Sequence, residues 1–250
     1  MLGEYVAPRN RDVYRDVYVA ALETLGYRTH AARQALARSV AAGWLRSRRV
    51  GRRSLMSISE PTFAMLRAGY PRIYGFGEPW RWSGKWALVV VRVPEEQREI
   101  RDRMRTQLAW AGFGSLGGGL WISPHPSRDG ELITSLNHDR GAAEMLSFSA
   151  EIAAVGDPVE IVARAWDLDG IADQYRVFVA NFSEAEPSSP GEMFSAQTAI
   201  VHAWRKFPFI DPDLPQELLP PDWPRGQARA LFRDRRARWA RHAEAYFDRL

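Results

Sequence analysis

Between Tyr27 and Ile58 the chain gathers side chains able to read nucleic acid. At 100° per residue, His30, Arg33, Gln34, Ala37, Arg38 and Ala41 fall on one face of a helix beginning near Thr29. Arginine pairs in bidentate fashion with guanine and glutamine with adenine, so such a face can discriminate bases. Arg38 could instead hold a phosphate or an internal acid. Just downstream, Arg48, Arg49, Arg52 and Arg53 crowd around Gly51, which can supply the positive φ of a hairpin turn. Guanidinium groups at a hairpin tip suit phosphates or a minor groove. The plainer alternative is a small helix–hairpin unit with a solvated basic face.

Other chemistry finds little support. With no cysteine, disulfides, thiolate metal sites and cysteine nucleophiles are excluded. The five histidines, His30, His125, His138, His202 and His242, lack any H-x-x-x-H or H-E-x-x-H spacing, so no zinc site is expected. There is no G-x-S-x-G elbow and no P-loop. Gly112-Phe-Gly-Ser-Leu-Gly117 matches G-x-G-x-x-G, but it follows a helix and enters a hairpin. A dinucleotide site needs the reverse, a strand before and a helix after, so that the helix N-terminus meets pyrophosphate.

The elements that must position the basic residues can be read from pattern. Thr29 is the expected N-cap and Gly43 the C-terminal stop, with Ala32, Ala35, Leu36, Ser39 and Gly43 as the buried stripe. Leu45–Val50 and Arg53–Ile58 form the hairpin. Asp12–Leu25 supplies the preceding helix, burying Val13, Val17, Ala20, Ala21 and Leu25. A helix followed by an arginine-tipped hairpin is the arrangement of a winged helix-turn-helix. Charge agrees. Residues 1–53 hold eleven arginines against Glu4, Asp12, Asp16 and Glu23, a net of +7, while the remainder is −3. A positive field confined to one end suits a polyanion there.

Beyond the wing, Pro61–Gly69 reads as a short helix and Pro71–Lys85 as a linker rich in Gly, Pro and aromatics. Residues 86–154 spell β-α-β-β-α-β, a split-βαβ, ferredoxin-like sandwich. Its parts are the apolar strand Trp86–Val93, a helix opening at Pro94-Glu95-Glu96, a hairpin around Gly117-Gly118-Gly119, a helix at Glu131–His138 and a closing strand. In the closing strand Leu146, Phe148, Ala150 and Ile152 alternate with polar residues and should face the core. The last third is expected to be helical. Asp169 would cap one helix, Glu192–Arg205 form another, and a third would start at Gln227 with Arg229, Arg233, Arg236 and Arg241 as a solvated face. Between them Phe207–Pro224 holds six prolines among apolar anchors, an ordered and packed loop. The fold class is therefore α+β: a winged helix-turn-helix at 1–70, a linker plus ferredoxin-like domain at 71–155, and a helical domain at 156–250. No apolar run approaches a membrane span and the start is not a signal peptide, so a cytoplasmic protein without a cofactor is expected.

Four stretches, Leu2-Gly-Glu-Tyr-Val6, Tyr27–Ile58, Trp82–Glu95 with Gly112-Phe-Gly114 and Gly119–Pro124, and Trp204–Pro220 with Asp222-Trp-Pro224, occur in the order of the PaaX-like repressors, regulators of phenylacetic-acid catabolism. The chain resembles that family over nearly its whole length. In the family, residues like Leu2–Val6 end a first helix, most of which would be missing here; Ser39 stands where a larger apolar residue is expected, and Arg225 interrupts an expected Trp-Pro-Gly. The resemblance implies a DNA-binding repressor acting on double-stranded operator DNA as a homodimer, with the central sandwich as the main dimer contact. It also implies release of DNA by an acyl- or aryl-CoA effector such as phenylacetyl-CoA. His202, Trp204, Arg205, Lys206 and Trp223 have the mixed cationic and aromatic character that a CoA thioester needs. Equally, Trp204 and Trp223 could be core and Arg205 a surface or ion-pairing residue.

A second class must be weighed. The central segment also resembles the small ferredoxin-like nuclease of CRISPR spacer acquisition, which needs a carboxylate near the end of its first strand to hold a metal ion. Arg92 occupies that place, and a guanidinium repels a metal cation. The expectation is a regulator, with a nucleic-acid-processing nuclease as the alternative.

Overall fold

The computed structural model describes residues 1–125, 143–153 and 155–250. A π-helical turn at Leu2–Val6 and a 3₁₀ turn at Ala7–Arg9 precede β1 (Val13–Tyr14), α1 (Arg15–Thr24), α2 (Thr29–Ala41), β2 (Leu45–Val50), β3 (Arg53–Ile58) and α3 (Glu60–Tyr74). There follow β4 (Trp86–Arg92), α4 (Arg98–Trp110), β5 (Gly114–Gly117), β6 (Leu120–Ser123) and β7 (Glu144–Ala150). Then come α5 (Pro158–Ala165), α6 (Leu168–Phe182), α7 (Pro190–Trp204), α8 (Phe207–Ile210) and α9 (Arg225–Arg249). The chain divides into two compact units: 1–76 with 178–205 and 227–250, and 77–177 with 206–226.

In the first unit β1, β3 and β2 form a three-stranded sheet in that order. Val13 and Tyr14 pair with Met56 and Leu55, which is why α1 begins at Arg15 rather than at Asp12: the preceding residues are held extended by the sheet. Its deepest side chains are Tyr18, Val19 and Ala21, whereas Val17 and Ala20, expected inside, are only half-buried. The core is not confined to the winged region. Tyr5, Val6, Tyr18, Ala32, Leu36, Leu45 and Met56 pack with Phe194 of α7 and with Ala243 and Phe247 of α9. The helix-turn-helix and parts of the C-terminal helices therefore share one apolar core, stabilised by burial of its aliphatic and aromatic side chains. Helix α3 runs to Tyr74, beyond the expected stop at Gly69 and through Pro71. Ser59 holds its N-cap position without a side-chain bond to the backbone, and Pro61 lies in the first turn, where its missing N–H costs nothing.

The second unit holds a four-stranded antiparallel sheet ordered β5-β6-β4-β7. That is the strand order of the expected ferredoxin-like sandwich; the predicted helix at Glu131–His138 lies outside the described residues. Ala87, Val89 and Val91 face α4, which buries Met104 and Leu108. On the other face Trp86 and Ile122 pack with Val162 of α5 and with Leu214, Leu218 and Leu219 of the proline-rich segment. Helix α4 starts at Arg98, not at Pro94; Pro94–Gln97 is a turn whose carbonyls at Pro94 and Glu95 accept from Arg101 Nη2, each at 3.2 Å. Leu146 and Phe148, expected in the core, are both 50% exposed. Their strand, β7, lies at the edge of the sheet, beyond the area that the proline-rich segment covers.

Three further details depart from expectation. Helix α5 has no counterpart among the expected elements; Asp157 caps it by accepting from the Val159 amide at 2.8 Å. Gly114 sits where a Cβ would fall 2.6 Å from the Ala165 Cβ, so this glycine serves close packing against α5 rather than a phosphate. Helix α6 begins at Leu168, and Asp167, not Asp169, accepts from the Gly170 amide at 3.0 Å. The proline-rich segment is ordered and packed as expected, with Phe207, Asp211, Leu214 and Leu218 all buried.

Candidate nucleic-acid interface

Helix α2 turns one face inward and leaves the other bare. Ala32 and Leu36 are buried, Ala35 and Ser39 half-buried, and His30, Arg33, Gln34, Ala37, Arg38 and Ala41 all exposed. Ser39 satisfies its hydroxyl within the helix, donating to the Ala35 carbonyl at 2.9 Å. Thr29 is not the cap. Arg28 holds that position without a side-chain bond, and the Thr29 hydroxyl instead donates to the Glu23 carboxylate at the end of α1. Gly43, at φ +75°, ends the helix as expected: its amide bonds to Val40 O at 3.0 Å and that of Trp44 to Ser39 O at 2.9 Å.

The hairpin has the expected boundaries, with Val50 opposite Arg53 and Gly51 at φ +59° in the turn. Antiparallel partners share a face, so Leu45, Ser47 and Arg49 lie on one side and Arg46, Arg48 and Val50 on the other. Arg46 is a further exposed cation on this strand, outside the four expected at the turn; its alternation with Arg48 is the sequence signal for it. The four predicted wing arginines are not equivalent. Arg53 lies 2.7 Å from the Asp16 carboxylate and its guanidinium carbon is 3.8 Å from the centre of the Tyr14 ring. The hydrogen bond from Arg53 holds the Asp16 carboxyl below its ordinary range. Arg48 is 3.5 Å from Asp12, while Arg49 Nε donates to the Gly51 carbonyl at 3.2 Å. Asp12, just before β1, and Asp16, in the first turn of α1, thus pair with one side of the wing.

Behind this surface sits a buried carboxylate that sequence spacing could not reveal. Glu4 accepts from the Tyr74 hydroxyl, from Gln197 Nε2 at 2.8 Å and from Arg236 Nε at 3.2 Å. Arg236, expected on a solvated face, stacks 4.5 Å from the Tyr74 ring centre as well. Its partners are 162 and 232 residues away in sequence, so no local pattern announces them.

Of the five residues with effector character, His202, Trp204 and Arg205 belong to the first unit and Lys206 and Trp223 to the second. His202 and Arg205 line a cavity of about 610 Å³ with Glu4, Ser195, Thr198 and the turn between α1 and α2. Ser195 donates to the Thr24 carbonyl at 3.2 Å, tying α7 to the end of α1. Trp204 is 1% exposed, stacks on Phe232 with centroids 4.7 Å apart and donates to the Ile73 carbonyl at 2.9 Å. Lys206 and Trp223 belong to the other unit, where Trp223 meets Tyr175 edge-on at 6.1 Å. Beside Trp223, buried Arg225 donates to Leu214 O at 2.6 Å and lies 3.4 Å from Asp211 and 3.3 Å from Asp213. The residue that interrupts Trp-Pro-Gly thus pins the proline-rich segment.

Among the described residues no group of three or more His, Asp or Glu is placed to hold a metal ion, and no helix is long and apolar enough to cross a membrane. Arg92, at the end of β4, is 3.7 Å from Glu144.

Comparison with known proteins accords with this geometry. The chain matches the PaaX-like protein family at residues 1–62, the PaaX protein central Cas2-like domain at 79–162 and the PaaX-like protein C-terminal domain at 166–249. It is 30% identical over 243 residues to the transcriptional repressor PaaX of Escherichia coli (strain K12), covering 92% of this chain and 75% of that protein. The fold is shared with the uncharacterized protein Rv0674 from Mycobacterium tuberculosis at a TM-score of 0.67 and 24% identity, over 98% of this chain and 95% of that one. Members of this family regulate transcription rather than catalyse reactions, so the nuclease reading falls. An exposed basic face of α2 and an arginine-rich hairpin, on a chain matched almost end to end, leave one conclusion: the protein belongs to the PaaX family of DNA-binding transcriptional regulators.

Proposed function

We propose that this regulator is a repressor that binds operator DNA as a homodimer and is released by an acyl- or aryl-CoA ligand. The observation that carries the DNA contact is the wholly exposed face of α2, on which His30, Arg33, Gln34 and Arg38 are exposed together. Arg33 and Gln34, in the N-terminal half, read base edges, and Arg38 reads a base or holds a phosphate. Arg48, Arg49, Arg52 and Arg53 grip the backbone. The repressor reading is supported by the name of the Escherichia coli relative.

A single recognition helix reads only a few base pairs, so useful specificity needs two half-sites. The exposed Leu146 and Phe148 on the edge strand of the central sheet support a dimer through that domain. For the effector, the cavity at His202 and Arg205 sets these groups beside apolar Leu25, Ala199 and Val201, and it borders the turn between α1 and α2. A ligand there acts by binding the DNA-incompetent arrangement more tightly.

Selection of duplexes from a random pool by the full chain, repeated with phenylacetyl-CoA and other acyl-CoAs, tests this reading. One enriched two-fold-symmetric sequence, lost on adding a thioester, is the expected result. Failure to enrich any sequence overturns the repressor reading, and enrichment indifferent to every thioester overturns the effector alone.

A further inference from the structure

The second unit contains a basic cavity lined by none of the residues proposed above to contact DNA. It measures about 390 Å³ and opens at the end of β4, where Arg92, Arg101 and Arg105 meet the glycine hairpin Gly117-Gly118-Gly119. Among the described residues three guanidinium groups line it and no carboxylate does. The acid paired with Arg92 is Glu144, 3.7 Å away and itself 62% exposed, where solvent screens it.

The walls are built for a close-fitting anion. Arg101 is held in place because Nη2 donates to the Pro94 and Glu95 carbonyls, each at 3.2 Å. Fixing the side chain this way removes much of the ordering cost of binding, while the other donors of its guanidinium remain directed by the same plane. Arg105 follows Arg101 by one helical turn and lines the same recess. The opposite wall is backbone. Gly117, Gly118 and Gly119 have φ of +88°, +60° and +82°, which L side chains rarely adopt. A Cβ on Gly119 would fall 2.3 Å from the Val91 carbonyl oxygen, so the hairpin presses directly on β4. No side chain therefore blocks approach from that side. The floor is apolar, formed by Met104, Leu108 and Trp121, all buried.

Like charges gathered in one recess repel one another, and an anion in their midst removes that repulsion. Planar guanidinium groups favour phosphate oxygens, which can accept from several donors at once. A recess floored by buried side chains does not fit the convex backbone of a duplex, and its volume is that of a small-molecule site. We propose that the recess formed by Arg92, Arg101, Arg105 and the Gly117–Gly119 hairpin binds the phosphate groups of a small phosphorylated molecule, either a free diphosphate or a nucleotide-like diphosphate ester.

The test is calorimetric titration of the full chain with inorganic pyrophosphate and with ADP in phosphate-free buffer. Saturable binding is expected, weakened at least tenfold in R105Q and further in R92Q/R105Q, with R233Q, an exposed arginine in the other unit, unchanged. Tighter binding of ADP assigns the site to esters, and equal binding assigns it to free diphosphate. R105Q leaves the Arg92–Glu144 pair and the Arg101 bonds intact, so it reports the site even if R92Q unfolds. Absence of saturable binding of both probes up to millimolar concentration overturns the proposal. So does an equal loss in R233Q, or a double variant that loses affinity for random duplex DNA while binding both probes like the wild type.

Discussion

Arg53 of the wing and Asp16 at the start of α1 are joined by a 2.7 Å ion pair that fastens the hairpin to the helix-turn-helix. Both side chains are at least half exposed, so solvent screens the pair and it contributes little to stability. In the proposed DNA contact its consequence lies in binding, because a phosphate held by Arg53 would compete with Asp16 for the same guanidinium. D16N is expected to raise affinity for any duplex several-fold and to steepen the salt dependence by ~0.9, with a melting temperature close to wild type. Fluorescence anisotropy at several salt concentrations checks this. Unchanged affinity and slope would place Arg53 away from DNA. The sign follows with pH: the Asp16 carboxyl sits below its ordinary range, so the pair is intact above that range and weakens as pH falls through the folded value.

Arg33 and Gln34 should differ from the wing in what they change. R33A is expected to lose about 1–3 kcal/mol on the selected operator and much less on random duplex. A change at one operator position should be tolerated by R33A and not by wild type. If R33A weakened both duplexes equally, Arg33 would be a phosphate contact instead.

The Glu4 carboxylate is buried among Tyr74, Gln197 and Arg236. Removing Arg236 leaves that charge with two neutral donors. Because Arg236 is 31% exposed, the loss should fall short of that for a fully buried pair. R236M should destabilise the fold by roughly 1.5–3 kcal/mol, read by urea unfolding, and R236M/E4Q should recover part of it. A loss near zero in R236M would mean the carboxylate is solvated.

Helix α7, which carries His202 and leads into Arg205, starts with a reciprocal cap between Ser189 and Glu192. Glu192 accepts from the Ser188 amide and hydroxyl, each at 2.8 Å, and from the Ser189 amide at 3.1 Å. These bonds, the Ser188 amide first, pull its carboxyl from 4.5 down to about 2. The depressed value means that this contribution is complete above pH 4.5 and disappears as pH falls toward 2. E192Q should therefore show a smaller loss of stability than wild type across that window, and S189A should cost about 1 kcal/mol at neutral pH. Parallel acid profiles for E192Q and wild type would contradict the assignment.

The recognition face and hairpin are legible in the sequence because both depend on short-range periodicity: α2 shows its buried stripe at helical spacing, and Gly51 marks the turn. Asp12–Tyr14 has the pattern of a helix start, yet β1 is created there by pairing with Leu55 and Met56, some forty residues away. Thr29 has the composition of a cap, but Glu23 captures its hydroxyl. Leu146 and Phe148 carry the alternation of a half-buried strand, but alternation does not say what covers the face, and at the edge of the sheet they stay half exposed. Trp204 shows the same limit among the effector candidates. Its neighbours His202 and Arg205 reach a cavity, whereas its own ring points to the core on the next face of the same helix.

The wing arginines test the DNA contact most directly. Arg49 and Arg52 have no carboxylate partner among the described residues, unlike Arg48 and Arg53, so their removal changes DNA binding with least effect on the fold. The measurement is the slope of log affinity against log salt for wild type and R49Q/R52Q on one duplex. The predicted result is a fall of ~0.9 for each phosphate interaction removed, about 1.8 in the double variant, together with weaker binding. An unchanged slope and affinity in a folded double variant would contradict the winged-helix assignment of DNA contact.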